Sequence, residues 1–151
     1  MKLFEVFAKP QTKWTWVDAN NRSRGRDEAH FTVGEREYFV AFQPDVGVNV
    51  HDDERDRIRA TDIMFKMWRN PGGDTGTGIT NTGDSVQVFS AVTNIIKEYI
   101  AKHHPDNIVF GAAEPSRVKL YKRLASRLQG YHTETWINEN RDTVFLMTRH
   151  T

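Results

Sequence analysis

Gly83, Tyr121 and Glu114 are the residues whose types and neighbours in this chain best suit chemistry. Gly83 lies in Asn81-Thr82-Gly83-Asp84-Ser85, a polar bend directly before a long stretch of apolar periodicity. A bend that opens a helix aims backbone N–H groups and the positive end of the helix dipole outward, which suits an anion such as a pyrophosphate. Tyr121 falls on a second helical stretch, just past the continuous apolar run Ile108-Val109-Phe110. There its phenol can donate a proton to a ligand held in a crevice, or simply pack in the core. Glu114 stands at the same strand end, immediately before Pro115. Its carboxylate can accept a proton, directly or through water, or cap the helix that follows.

The elements that must position these groups are legible in the hydrophobic pattern. Leu3 to Phe7 and Trp14 to Val17 are β-prone runs, and the polar stretch Ala19 to Glu28 reads as a loop. His30–Val33 and Glu37–Phe42 flank Gly34, a hairpin signal, with Pro44 and Gly47 closing it. Asp52–Arg59 reads as a short helix or a loop, Asp62–Trp68 as a strand, and the Pro- and Gly-rich Arg69–Gly78 as a loop. Asp84 or Ser85 then caps a helix whose apolar residues Val88, Val92, Ile95, Ile96 and Tyr99 recur in steps of three and four, the pattern of a helix lying on a sheet. His103-His104-Pro105 ends it. Ile108–Phe110 suits a strand covered on both faces. Pro115 opens a second helix, lined by Val118, Tyr121, Leu124, Ala125 and Leu128, and Gly130 stops it. Tyr131–Ile137 and Thr143–Thr148 are two strands around the turn Asn138–Asp142.

Composition narrows the classes. The chain has 151 residues, with 21 Lys and Arg against 20 Asp and Glu, and no Cys. That length suits one domain, residues 1–151, with a sizeable core. The balanced charge does not indicate a global nucleic-acid footprint. A cysteine-free chain needs a core rather than disulfides, compatible with a reducing cytoplasm. No apolar run of about 18 residues suggests a membrane span, and MKLFEVFAKP reads as a strand rather than a signal peptide. The histidines lack metal-ligand spacing, HDDERD lacks the pattern of a calcium loop, and GGDTGTG lacks the Gly-Lys-Ser/Thr of a nucleotide loop. The basic run Arg117, Lys119, Lys122 and Arg123 reads as a solvated helix face, with a phosphate or acidic partner as the alternative. Arg22, Arg24 and Arg26 read as a solvated loop.

Strands, a bend, a long helix, a strand, a helix bearing Tyr and a terminal hairpin resemble the layout of the GNAT superfamily of N-acetyltransferases, most closely the small GNAT-like proteins of bacteriophages. Two motifs carry the resemblance. Thr80-Asn81-Thr82-Gly83-Asp84-Ser85 falls in the frame of the family's acyl-CoA pyrophosphate loop; Gly83 matches its first glycine, Thr80 replaces the usual Gln or Arg, and Ser85 the final small residue. The segment Glu114 to Leu124 keeps the family's Tyr at Tyr121, Glu114 replaces its Asn, and Gly130-Tyr131 stands for its Gly-Phe. The match covers the chain well from Asp62 onward. It implies an α+β fold, a mixed twisted sheet flanked by helices, and direct acetyl transfer from acetyl-CoA to an amine of a small molecule or protein in the (host) cytoplasm. It further implies that Asn81, Thr82, Gly83, Asp84 and Ser85 hold the pyrophosphate and that Met64, Phe65, Lys66 and Met67 pair through their backbone with the pantetheine arm. Ser116 and Arg117 then contact the cofactor, Tyr121 is the general acid, Glu114 a candidate base, and no metal is required. The departures in the loop equally suit a GNAT-like protein that has lost catalysis and binds a host factor. A nucleic-acid modifier is the third reading, supported only by Arg22–Arg26.

Overall fold

Aromatic and β-branched runs become the strands of a seven-stranded sheet in the computed structural model, which describes residues 12–17, 26–69 and 85–150, with backbone alone at 67–69 and 116. In chain order the elements are β1 (Trp14–Val17), β2 (Asp27–Val33), β3 (Arg36–Asn49), β4 (Arg57–Arg69), α1 (Ser85–His103), β5 (Asn107–Ala112), α2 (Pro115–Ser126), β6 (Tyr131–Ile137) and β7 (Thr143–Arg149). The spatial order is β1-β2-β3-β4-β5-β7-β6. Every neighbouring pair is antiparallel except β4 and β5, which run parallel. Parallel neighbours cannot be joined by a tight turn, and the chain between them carries α1. The fold is α+β: a mostly antiparallel sheet with, among the described residues, two α-helices.

Alternation decides which strand residues meet the helices. Phe31, Tyr38, Val40, Phe42, Ile63, Phe65, Ile108, Phe110, Phe145 and Met147 pack in one cluster with Val88, Val92, Ile95, Ile96 and Tyr99 of α1 and Tyr121 and Leu124 of α2. Both helices therefore cover the same face, as their apolar spacing requires. Residues of the opposite parity form a smaller cluster on the other face: Val50, Ala60, Val109 and Leu146, with Ile58, Val144 and Trp136 against them. At the edge, Trp14 and Trp16 both donate their indole N–H to the Glu98 carboxylate of α1, at 2.9 and 3.1 Å. That ties the short β1 to the helix layer.

Within the described residues the expected strands and helices are present with altered limits. β3 does not stop at Pro44; it runs on to Asn49 because Pro44 and Asp45 together stand opposite the single residue Thr61 in a bulge. The bulge removes the N–H-less proline from the ladder and reverses the strand's parity beyond it. The stretch expected as a short helix or loop is a 3-10 turn, Val50–Asp52, with His51 and Asp52 at positive φ, followed by a β4 that already begins at Arg57. Asp27 and Glu28, expected in a loop, are the first residues of β2. The expected strand Leu3–Phe7, residues 19–25 of the expected Ala19–Glu28 loop and residues 70–78 of the expected Arg69–Gly78 loop lie outside the described residues, while Arg69 itself ends β4.

Candidate functional site

The β4–β5 junction is where this sheet is least complete. Its ladder has two registered pairs, Thr61 with Ile108 and Asp62 with Val109. Beyond them β4 continues to Arg69 and β5 to Ala112 with no registered pair across the gap. The closed end is held well. The Asn107 side chain donates to the Arg59 carbonyl at 3.0 Å, and the buried Thr61 hydroxyl bonds to Tyr99 of α1. On its other side β4 stays paired with β3 through Lys66. Among the described residues, Ile63–Lys66 thus have no registered partner on the β5 side. An open crevice at the carboxyl ends of adjacent parallel strands is where ligands collect in such sheets.

Side chains of two kinds flank this gap, on opposite faces of the sheet. On the helix face Tyr121 is buried, edge-on to Phe110 at 5.1 Å and to Phe145 at 6.1 Å. Burial pushes its phenol above the usual range, and the nearby Arg117 cation opposes that shift. Arg117 Nη1 donates to the Tyr121 hydroxyl oxygen at 3.4 Å. The phenol proton is therefore left to point elsewhere. The Arg117 guanidinium also lies 6.0 Å from the Phe65 ring centre, so it reaches from the α2 start to β4. Its Nη2 is buried and has no hydrogen-bond partner among the described residues. A buried guanidinium N–H without an acceptor is costly, and such an orphan requires explanation. An oxygen-bearing ligand in the gap would supply the missing acceptor.

On the other face, Asp62 emerges at the last registered pair, where the strands part. It is half-buried, and desolvation pushes its carboxyl up to about 6. A carboxylate tuned in this way, in a cleft, is a candidate acid–base group. Beside it in β5, Gly111 is exposed, and a Cβ there would meet only the Thr143 carbonyl oxygen at 3.9 Å. A glycine inside a strand marks a place where something approaches the backbone closely. Set against protein-family profiles, curated proteins and solved structures, the chain matches none.

The expected site residues distribute as follows. Phe65 is buried on the helix face, Met64 is half-buried, Lys66 is exposed, and Met67 continues β4. Ser116 occupies the first turn of α2, one residue before Arg117. Ser85 is the first residue of α1, while Asn81, Thr82, Gly83 and Asp84 lie outside the described residues. Glu114 is exposed at the N-cap position of α2; its carbonyl accepts from Arg117 and Val118 N–H, and its side chain makes no capping bond. Tyr121 and Arg117 are thus brought together at the gap, and Glu114 is held at its rim. Asp62 and Gly111 were missed as site residues. Their signal was present as a lone carboxylate entering IMFKMW and a lone glycine ending an apolar run. Neither could be tied to the other without the pairing of the two strands. No described helix is long and apolar enough to cross a membrane.

Proposed function

We propose that this chain is an acetyl-CoA-dependent N-acetyltransferase with a GNAT-like arrangement, transferring the acetyl group directly to an amine. The observation that carries the reading is the β4–β5 ladder, two pairs long, with a tuned carboxylate on one face and a buried phenol on the other. A pantetheine arm is extended and carries two amides, which suits the β5-facing backbone groups of Ile63–Lys66. Gly111 leaves room beside it. The unpartnered Arg117 Nη2 suits an acyl or phosphate oxygen.

In this arrangement Asp62, ionised at neutral pH, takes the proton that the attacking amine sheds as its nitrogen bonds to the acyl carbon. Its desolvated setting makes it a stronger base than an ordinary carboxylate. Tyr121 gives its hydroxyl proton to the departing sulfur as the carbon–sulfur bond breaks. Arg117, already hydrogen-bonded to the phenol oxygen, stabilises the tyrosinate left behind. Asp62 takes the base's role from the exposed Glu114, because only Asp62 stands at the parting of the strands. The pyrophosphate portion of this proposal rests on the Asn81–Ser85 sequence.

Thermal unfolding with added acetyl-CoA or CoA tests the reading. Ligand at a hundred times its dissociation constant adds about 2.7 kcal/mol of stability. An unchanged melting temperature at millimolar acetyl-CoA would end the enzymatic interpretation.

A further inference from the structure

A second surface, independent of acetyl transfer, lies along β6. Among the described residues β6 is the last strand in the sheet. In an antiparallel pair, residues alternate between turning their N–H and C=O toward the partner and away from it. Asn138 N–H bonds to Asp142 carbonyl and His150 N–H to Gly130 carbonyl at the two ends of the β6–β7 pair. With Tyr131 opposite Arg149, even-numbered residues therefore face β7. Tyr131, Thr133, Thr135 and Ile137 present their backbone groups to the open edge. Such an edge accepts an added strand; no proline, no lysine and no bulge interrupts YHTETWI, and its one carboxylate, Glu134, lies 3.0 Å from His51 Nε2.

Beside this edge, on the α2 side, is a cavity of about 440 Å³ lined by Lys122, Ser126, Gln129, Thr133 and Thr135 among others. From Pro115 to Thr133 the chain has no Asp or Glu. Lys119, Lys122, Arg123 and Arg127 are exposed and form no ion pair among the described residues; Lys122 lines the groove, while Arg123 and Arg127 lie over the Phe89 ring of α1. Charge decides what fits. Two copies pairing β6 with β6 about a two-fold axis would set two copies of α2 on one face, cation against cation. An extended segment with acidic side chains at alternate positions would instead turn them toward the α2 face, where Lys122 lines the groove. We infer that the β6 edge, with the α2 groove beside it, is a docking site for an extended acidic segment of another protein, bound by strand addition.

The test uses the full chain with a labelled peptide matched to the seven residues of β6, alternating Glu and Val, and a control alternating Lys and Val. Fluorescence anisotropy should show the Glu peptide binding at least about tenfold more tightly, and Lys122→Glu should remove that preference. Amide exchange read by NMR should slow at Thr133 and Thr135 when the Glu peptide is present. Equal binding of the two peptides, absence of binding, or unchanged exchange at those amides would overturn the proposal. So would slowing of the same amides on concentrating the chain by itself, because the occupant would then be a second copy.

Discussion

Asp62 and Tyr121 acquire their character from burial, and each makes a separate prediction. A carboxyl pushed up to about 6 should appear as the acidic limb of the kcat/KM profile, with activity rising as pH passes about 6. Asp62→Asn should remove that limb and most of the activity. The same shift has a stability consequence. The folded value is raised above the ordinary one, so the folded chain holds the proton more tightly; the favourable contribution is complete below about pH 4 and is lost as pH rises through about 6. Asp62→Asn should therefore stabilise the protein at pH 8, on the order of 1 kcal/mol once residual solvent screening of a half-buried group is allowed for. Denaturant melts at pH 4 and pH 8 check the sign. For Tyr121→Phe, kcat should fall about a hundredfold or more while cofactor affinity stays near that of the parent. Equal losses in both would point to a packing role instead.

At the scale of elements, the open stretch of β4 and β5 is the feature to perturb. Gly111→Val adds a β-branched side chain where a Cβ meets only one atom at 3.9 Å. Melting temperature should hold or rise slightly with the better strand former, while the apparent affinity for acetyl-CoA falls by at least about tenfold, measured by calorimetry. A second element-level prediction concerns β1. Glu98→Ala strips the acceptor from two indole N–H groups and should cost about 1–2 kcal/mol, with altered tryptophan fluorescence in the native state. The helices were the most legible elements, since α1 and α2 carry apolar spacing and terminal signals that need nothing from outside the helix. The β3–β4 hairpin was less so, because Pro44 and Gly47 are ordinary turn signals that only a bulge against Thr61 turns into strand.

For the molecule as a whole, near-zero net charge leaves only local fields. Retention on immobilised DNA should be weak and without the steep salt dependence of counterion release; strong salt-sensitive retention would revive a nucleic-acid role. The parallel β4–β5 contact, joined through α1, is the long-range commitment of this fold, and the antiparallel pairs on either side of it close through shorter connections. Loss of the Thr61 hydroxyl or the Asn107 amide should therefore loosen the junction more than an equivalent loss on β6.

Periodicity and turn residues by themselves determined two helices, the β2–β3 and β6–β7 hairpins and the alternation within their strands, because those depend on neighbours a few positions away. They also placed Tyr121 on the apolar face of α2, while Arg117 read as part of a solvated basic face and entered the site only through the family resemblance. Which strands lie side by side is another matter, since pairing energy comes from contacts between residues distant in sequence. Only the tertiary structure set β5 beside β4 for two residue pairs, and so gave Asp62 its desolvation, Gly111 its open space and Arg117 Nη2 its missing acceptor. It also left β6 with an edge unpaired among the described residues, a property of position in the sheet that no local pattern encodes.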